Sequence, residues 1–437
     1  MRLTSLALAS GLLAATIPVS AQAAPPRPAS ATLIRAGRLL DVRAGAVRPD
    51  QGLLVRGDRI VAVGDYATVA AQAPADAGKV DLSAETVLPG LIDCHTHVLL
   101  QDDTTAAQYD EQLLKESIPY RTLRAAAAAR RALEWGFTTL RDLETEGAMY
   151  ADVDIKRAIA KGVVPGPRLF VATRAFSATG MYPLTGYSWE LEVPKGVQIV
   201  DGVDEIRKGV REQVSRGADW VKVYVDRAYW LAEDGRLRSK LNFTADELKA
   251  FADEAHRLGR PCAAHAMGWD GIDAALRAGF DTIEHGAGFD EGLFDRAVQQ
   301  GAYWCPTLYV GAWVAQGRGG VWLKLPEVEA RALKLGLKKG VRIANGSDAG
   351  GFAWTENPAK ELQMLVKDGM TPWQAIQAAT LTAGRLLRAE QDLGTLEPGR
   401  YADLIAVKED PLADITALQR VDFVMKGGEV AKGPAVH

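Results

Sequence analysis

The sequence predicts an α/β protein: a (β/α)8 TIM-type barrel with a small β-sandwich domain formed from both chain ends. Between residues 87 and 390, short β-branched runs alternate with longer amphipathic segments, which is typical of a parallel sheet covered by helices. Short strands separated by turn residues fill the two ends. The 437 residues, 48% of them hydrophobic, suffice for one large core and a smaller one.

The chain starts with a segment typical of a secretory signal. Arg2 precedes an apolar run over residues 3–19, and Ala21 and Ala23 match an Ala-X-Ala cleavage site. We expect residues 1–23 to be a signal peptide and the protein to be exported, to the periplasm or as a secreted protein. The alternative, a membrane anchor, fits less well because the run is short and the cleavage pattern follows it directly. No membrane association is expected after cleavage.

Residues 24–86 and 391–437 are predicted to form the small β-sandwich domain. Near the start, apolar runs surround a hairpin turn at Gly57 and Asp58, and similar runs occur over 403–407 and 421–425. Two β segments at opposite ends most simply pair with each other, so that residues 87–390 form an insertion between them.

Eight strands are predicted in the barrel segment. They cover residues 87–94, 137–143, 168–173, 220–225, 261–265, 282–285, 303–308 and 342–348. The clearest helices cover 121–136, 244–258, where Thr244 and Glu247 form a capping box, and 372–387.

Two predicted strand-to-helix loops, over 175–200 and 226–242, are unusually long. They emerge at the C-terminal face, where the active sites of such barrels lie. Their aromatic residues are expected to line a pocket or lid, or else to pack the loops down: Tyr182, Tyr187, Tyr229 and Trp230.

Four of the six histidines lie at the ends of predicted strands. His95 and His97 end the first strand, and because side chains alternate along a strand they point to the same side and are able to share one ion. His265 ends the fifth strand and His285 the sixth. Neutral imidazoles with a carboxylate, here Asp348 at the end of the eighth strand, suit zinc or a similar divalent ion.

Lys222 lies inside the apolar fourth strand. An ammonium group facing a barrel interior would carry a large desolvation cost, so this lysine requires a partner or a chemical change. Carbamylation would turn it into an anionic ligand that bridges two cations; the alternative is a side chain that extends to the rim. Arg141 and Arg227 are candidates for binding a substrate carboxylate, and either one has an equally good structural interpretation.

Composition excludes other function classes. The 51 basic and 55 acidic residues are spread along the chain without long single-sign runs, so no nucleic-acid partner is expected and a small molecule or dipeptide is the expected substrate. The three cysteines, Cys94, Cys262 and Cys305, lie in apolar segments and are expected to be buried and unpaired. His256 and His437 receive no functional role.

The combination of His-X-His, the strand-four lysine, the two later histidines and the final aspartate resembles the amidohydrolase superfamily. Segments 138–142, 166–169, 177–180 and 217–224 resemble its binuclear imidazolonepropionase-like branch, which includes Xaa-Pro dipeptidases and ochratoxin-hydrolysing amidohydrolases. One departure is that Tyr224-Val225-Asp226-Arg227 replaces the Ser-Gly-Gly turn that follows the lysine in many dipeptidase relatives, which leaves the substrate open.

The resemblance implies a binuclear zinc amidohydrolase. One ion would be held by His95, His97 and Asp348, and the other by His265 and His285, with carboxylated Lys222 and a hydroxide between them. The hydroxide would attack an amide carbonyl, Asp348 would act as general base and acid, and Tyr224 would donate a hydrogen bond to the carbonyl oxygen.

The expected substrates are N-acyl amino acids or dipeptides with a free carboxylate, including aromatic amides of the ochratoxin type. Alternatives are a lactonase, or an organophosphate or carboxyl esterase, with the same binuclear centre, or a non-catalytic scaffold. A scaffold would not need all six ligand positions filled. The resemblance also suggests a homo-oligomer.

Overall fold

The computed structural model describes residues 31–182 and 184–434, so the expected signal peptide (1–23) and His437 lie outside the described residues. The strands are β1 (Ala31–Asp41), β2 (Ala46–Arg56), β3 (Arg59–Asp65), β4 (Gly78–Pro89), β5 (Leu91–Thr96), β6 (Phe137–Asp142), β7 (Arg168–Val171), β8 (Phe176–Ser177), β9 (Gln198–Ile199), β10 (Val221–Tyr224), β11 (Asp226–Leu231), β12 (Leu237–Leu241), β13 (Cys262–Ala266), β14 (Thr282–His285), β15 (Tyr303–Cys305), β16 (Arg342–Ile343), β17 (Leu404–Val407), β18 (Phe423–Lys426) and β19 (Glu429–Lys432).

The helices are α1 (Tyr66–Ala70), α2 (Ala106–Lys115), α3 (Ile118–Glu134), α4 (Ala151–Ala160), α5 (Gly202–Arg216), α6 (Ala245–Arg257), α7 (Trp269–Ala278), α8 (Glu291–Gln300), α9 (Leu308–Arg318), α10 (Leu325–Lys339), α11 (Lys360–Lys367), α12 (Pro372–Ala378) and α13 (Leu381–Leu386). Two short 3-10 helices cover Gly320–Lys324 and Ile415–Gln419. In the part of the chain that the structure describes, no helix combines the length and the apolar character needed to cross a membrane.

The two chain ends meet in one sheet, as the sequence predicts. Its order is β19-β18-β17-β4-β1-β2-β3, and hydrogen bonds connect all seven strands, so the structure shows one continuous sheet where a sandwich is expected. β17 pairs antiparallel with β4 and thereby joins the C-terminal segment to the N-terminal one. The inward residues of these strands form a separate apolar core beside the barrel.

The junction between the end sheet and the barrel differs from the prediction. The first barrel strand was expected over 87–94, but β4 continues to Pro89, which pairs with Leu404 of β17. The amide of Gly90 donates to the Asp403 carbonyl at 2.9 Å, and β5 starts at Leu91. The predicted strand is therefore two strands in two sheets; the domain limits 24–86 with 391–437 and 87–390 stay a prediction.

The barrel strands follow each other in chain order. β5, β6 and β7 pair in parallel, as do β10, β13, β14, β15 and β16. The amide of Trp220, just before β10, donates to the Val171 carbonyl of β7 at 3.2 Å. The amide of Cys94 in β5 donates to the Asn345 carbonyl after β16 at 2.9 Å. A large apolar core lies between these strands and the surrounding helices, as the (β/α)8 prediction requires.

The later elements are shorter than predicted. The seventh strand ends at Cys305 because Thr307 adopts φ 52°, which no strand tolerates, and α9 begins at the next residue. The eighth covers only Arg342–Ile343. The helix expected over 372–387 is two helices, interrupted at Thr380.

Other expectations are confirmed. The capping box of Thr244 and Glu247 precedes α6, and the three cysteines are free and buried. The second long loop differs from a plain loop, because it folds into the antiparallel hairpin β11–β12.

Candidate metal centre

The structure brings all six predicted metal ligands to one cavity of about 390 Å³. Ring centroids of His95 and His97 lie 5.3 Å apart, and those of His265 and His285 lie 4.5 Å apart. These two pairs of histidines are adjacent, since the ring centroids of His95 and His285 lie 5.0 Å apart. Asp348 Oδ1 lies 3.0 Å from His97 Nε2, and Lys222 Nζ lies 3.4 Å from His95 Nε2.

Contacts of the Nδ1 nitrogen orient three of the imidazole rings. Nδ1 of His95 lies 2.9 Å from Glu284 Oε2, and Nδ1 of His285 lies 2.8 Å from Thr307 Oγ1. Nδ1 of His97 faces the Glu144 carbonyl oxygen at 3.5 Å. In each case Nε2 remains for the cavity, which is how metal-binding histidines are commonly held.

His265 is oriented the other way. Its Nε2 lies 2.7 Å from the Tyr229 hydroxyl, so Nδ1 is the nitrogen left for an ion. Tyr229 also reaches the Asp226 carbonyl at 3.2 Å. The hairpin β11–β12 thus orients the candidate metal ligand His265 through one tyrosine.

The charge state of the cluster suits a divalent ion. Burial, together with the neighbouring histidines and Lys222, lowers the pKa of His265 well below its ordinary value and that of His285 to about 3. Burial opposes ionisation of Asp348, but the hydrogen bond with His97 and the charges of His97, His285 and Lys222 together outweigh it and lower the Asp348 pKa. The same contact raises the pKa of His97 against the effect of burial, so His97 is the imidazole whose proton an ion would replace. Imidazoles with a carboxylate are a donor set that suits zinc.

Lys222 is fully enclosed, with 1% of its surface exposed. Burial lowers its pKa, and the charges of Glu284 and Glu144 only partly oppose this. An amine held in such a place carries its proton less firmly than a surface lysine. The uncharged amine is the form that reacts with carbon dioxide, so the environment of Lys222 suits carboxylation.

The backbone at two ligands adopts a rarely populated conformation. His285 has φ 68° and Asp348 has φ 61°, values that cost energy in any residue with a side chain. Asp348 is held there because its amide donates to the His95 carbonyl at 2.8 Å. Gly350 lies against β5, where a Cβ would stand 2.3 Å from the His97 carbonyl oxygen. The flanking glycine therefore allows the loop to pack against the backbone of His97, directly after β5.

Arg141 is not where a substrate-binding residue would be. Its side chain is completely buried beneath the cavity, donates to Glu284 Oε1 at 2.8 Å and lies 4.4 Å from the ring of Trp220. The expectation that Arg141 binds a substrate carboxylate is corrected on this ground. Its partner Glu284 contacts His95, so Arg141 supports a metal-site histidine from behind.

Part of the expected aromatic lining is present. Tyr182, Tyr224 and Tyr229 line the cavity, and the guanidinium of Arg227 lies 4.1 Å from the Tyr182 ring centroid. Tyr187 and Trp230 do not line the cavity and are corrected. Both are exposed, and Tyr187 donates instead to Asp110 on α2 at 2.7 Å.

Two buried glutamates after β6 were missed. The Tyr224 hydroxyl donates to Glu144 at 2.7 Å, and the Tyr109 hydroxyl donates to Glu146 at 2.6 Å. Burial, then the adjacent Glu146, raises the pKa of Glu144 well above its usual range. Their position just past a strand end was a usable signal, whereas Tyr109, on a helix, offered none.

Comparison with known proteins adds to this geometry. The amidohydrolase family model matches residues 86–431, and the imidazolonepropionase-like composite domain of bacteria matches residues 52–75. Ochratoxinase from Aspergillus niger is 32% identical over 444 residues, covering 93% of this chain and 88% of the relative. Its crystal structure matches with a TM-score of 0.79 and 29% identity, over 94% of this chain and 98% of that one. A Xaa-Pro dipeptidase with methionine bound in its active site matches with a TM-score of 0.81 and 30% identity, over 92% of this chain and 100% of that one.

Proposed function

The chain belongs to the amidohydrolase family, and we propose that it is an exported binuclear zinc amidase or dipeptidase that cleaves substrates with a free carboxylate. The observation that carries the proposal is the cluster of four imidazoles, Lys222 and Asp348 around one cavity. One similar protein is by its name a Xaa-Pro dipeptidase and another an ochratoxinase, which supports amide hydrolysis as the reaction class. We also propose, separately, that the protein forms homo-oligomers, which light scattering of the purified protein tests.

The donors divide into two groups that would each hold one divalent ion. His95, His97 and Asp348 have ligand atoms within 4.8 Å of one another, and His265 and His285 form the second group. Carboxylated Lys222, between His95 and the second pair, would supply an oxygen to each. When bound, such ions supply Lewis acidity and lower the pKa of a coordinated water to about 7.

Asp348 is proposed to carry the proton. Its carboxylate keeps a low pKa although it is buried, so it is ionised near neutral pH and able to accept a proton from the attacking water. It then passes the proton to the nitrogen of the leaving amine. One carboxylate thereby serves both the attack and the departure of the product.

Tyr224 is proposed to donate to the carbonyl oxygen of the substrate. Its hydroxyl donates to Glu144, whose pKa is raised well above the usual range by burial and by Glu146. When a substrate carbonyl oxygen enters the cavity, the hydroxyl would turn towards it, and the protonated form of Glu144 would donate to the phenolic oxygen in exchange. The hydrogen bond stabilises the negative charge that develops on the carbonyl oxygen during attack.

Arg227 is proposed to bind the substrate carboxylate. It lines the cavity, stacks on Tyr182 and forms no ion pair with any carboxylate in the described ranges. Replacing Arg227 with methionine should raise KM for a dipeptide about 10- to 150-fold, the loss of a charged hydrogen bond of about 1.5–3 kcal/mol. Steady-state kinetics with a dipeptide and its C-terminal amide test this. An equal effect on both substrates would contradict the assignment.

Metal removal tests the proposal as a whole. Protein stripped with a chelator should lose turnover of N-acyl amino acids, Xaa-Pro dipeptides and ochratoxin-type amides, and zinc should restore it. Elemental analysis should find two ions per chain, and a mass increase of one carboxyl group should disappear in Lys222→Ala. Two bound ions with turnover only of lactones, phosphotriesters or carboxyl esters would replace the amidase assignment. Absence of bound metal would favour a scaffold.

A further inference from the structure

One acidic side chain in the cavity wall lacks a partner. Five acidic residues line the cavity: Asp103, Asp110, Glu146, Glu329 and Asp348. Four of them have partners. Asp103 accepts from Arg318 at 2.8 Å and Asp110 from Tyr187 at 2.7 Å. Glu146 accepts from Tyr109 at 2.6 Å, and Asp348 lies 3.0 Å from His97. Within the described residues Glu329 forms no ion pair, and its buried Oε2 has no hydrogen-bond partner. Only 2% of its surface is exposed.

The neighbours of Glu329 do not stabilise its buried carboxyl group, so a purely structural role does not account for a glutamate at this position. It lies on α10 against α9, among the apolar cavity residues Val310 and Val314. The charged groups that act on it, Glu361 and Asp368, are also acidic, and with burial they raise its pKa well above the usual range. A hydrophobic residue at this position would remove the cost of burying an unpaired carboxyl group.

The fold makes room for this carboxyl group. A Cβ at Gly311 of α9 would lie 2.6 Å from both Glu329 oxygens, so a larger residue there would displace them. Gly311 is about one helical turn, roughly 5.4 Å, beyond Thr307, whose hydroxyl contacts His285. Glu329 thus packs against α9, the helix whose N-cap residue Thr307 contacts His285.

Besides the proposed metal ligand Lys222, the cation Arg227 lines the cavity and forms no ion pair within the described residues, and the acid Glu329 lacks a hydrogen-bond partner at one oxygen. Arg227 lies in β11, directly after β10, whereas Gly311 and Glu329 lie on α9 and α10, which follow β15; β13 and β14 separate β10 from β15 in the sheet. A dipeptide with free ends presents the complementary pair of charges, a carboxylate on the leaving residue and an ammonium group on the acyl residue. An N-acyl amino acid presents only the carboxylate.

We propose that Glu329 binds the free amino group of the substrate, so that the enzyme selects dipeptides with an unmodified N-terminus over N-acylated amino acids. This inference rests on the proposed function and deepens it. The substrate then lies across the metal centre, with its carboxylate at Arg227 and its ammonium group at Glu329. In the free protein, burial favours the uncharged form of Glu329. An incoming ammonium group provides the opposite charge that Glu329 lacks in the protein and favours its ionisation, with the proton passing to solvent.

Binding to an inactive protein tests the inference apart from catalysis. Zinc-loaded Asp348→Asn is titrated calorimetrically with Ala-Pro, Ala-Phe and their N-acetyl forms. The free dipeptides should bind about tenfold more tightly or better, since a hydrogen bond to a charged group contributes that much. Adding Glu329→Gln should reduce this preference to about one without weakening binding of the acetylated forms. Gly311→Ala, which keeps the acid but displaces it, should have the same effect.

A control is Asp152→Asn. Asp152 is another fully buried acid, accepts from the Val153 and Thr173 amides, and does not line the cavity. Its loss should leave the preference unchanged. An equal loss for free and acetylated ligands in Glu329→Gln, or no loss, would overturn the inference. If the active enzyme hydrolyses the acetylated substrates and binding shows no preference for the free dipeptides, the inference falls but the amidase function stands. If none of the four ligands binds or reacts, both the inference and the proposed function are overturned.

Discussion

Replacing Asp348 with asparagine is expected to lower kcat on the best dipeptide about 10²- to 10⁴-fold, the usual contribution of a positioned general acid–base. Asparagine keeps the shape of the side chain and the contact with His97, but it neither accepts the proton of the attacking water nor returns it to the leaving amine. KM should change less than kcat because other residues, Arg227 and Glu329, are proposed to bind the charged groups of the substrate. Steady-state kinetics on zinc-loaded protein measure both constants.

Asp348 is also a proposed metal ligand, so metal content must accompany the kinetics. Elemental analysis of the variant separates loss of an ion from loss of the proton carrier. Asp281→Asn is a suitable control, because Asp281 is an aspartate paired with His256 and Arg388, outside the cavity. Full activity of Asp348→Asn with two ions bound would contradict the proposed role.

The sequence predicted which residues meet at the candidate metal centre more closely than it predicted their surroundings, because their positions follow from strand periodicity. His95 and His97, two residues apart at a strand end, point to the same side wherever the strand lies in the barrel. The same rule failed for Arg141, since position along a strand does not tell whether a side chain lies above or below the cavity floor. Arg141 points away from the cavity, towards Glu284.

Elements joined by tertiary contacts were harder to predict. Residues 87–92 contain no polar side chain, and only the pairing of Pro89 with Leu404 shows that the first part of this run belongs to a second sheet. Asp348 was placed in a strand, although its φ of 61° depends on a bond to the His95 carbonyl more than 250 residues away. Glu329 reaches the cavity from a helix, and no period in the sequence marks a glutamate in a helix as cavity-facing.

The second large effect is expected on stability, from the buried pair of Arg141 and Glu284. Both side chains are completely buried. Glu284 Oε1 accepts from Arg141 at 2.8 Å, and Glu284 Oε2 lies 2.9 Å from His95 Nδ1. Arg141→Met keeps much of the volume but leaves Glu284 charged and without its cation. The free energy of unfolding should fall by about 3–5 kcal/mol, the typical cost of breaking a buried ion pair from one side.

Urea unfolding of the metal-free protein measures this loss without a contribution from bound ions. The double variant Arg141→Met with Glu284→Gln should recover part of the loss, because the unpaired charge is then gone, and the difference gives the coupling energy of the pair. Glu284→Gln alone should weaken zinc binding about 10- to 100-fold, since Glu284 orients His95 from behind. A loss below about 1 kcal/mol in Arg141→Met, the range of exposed ion pairs, would mean that water reaches Glu284 and that the pair does not hold His95 in place.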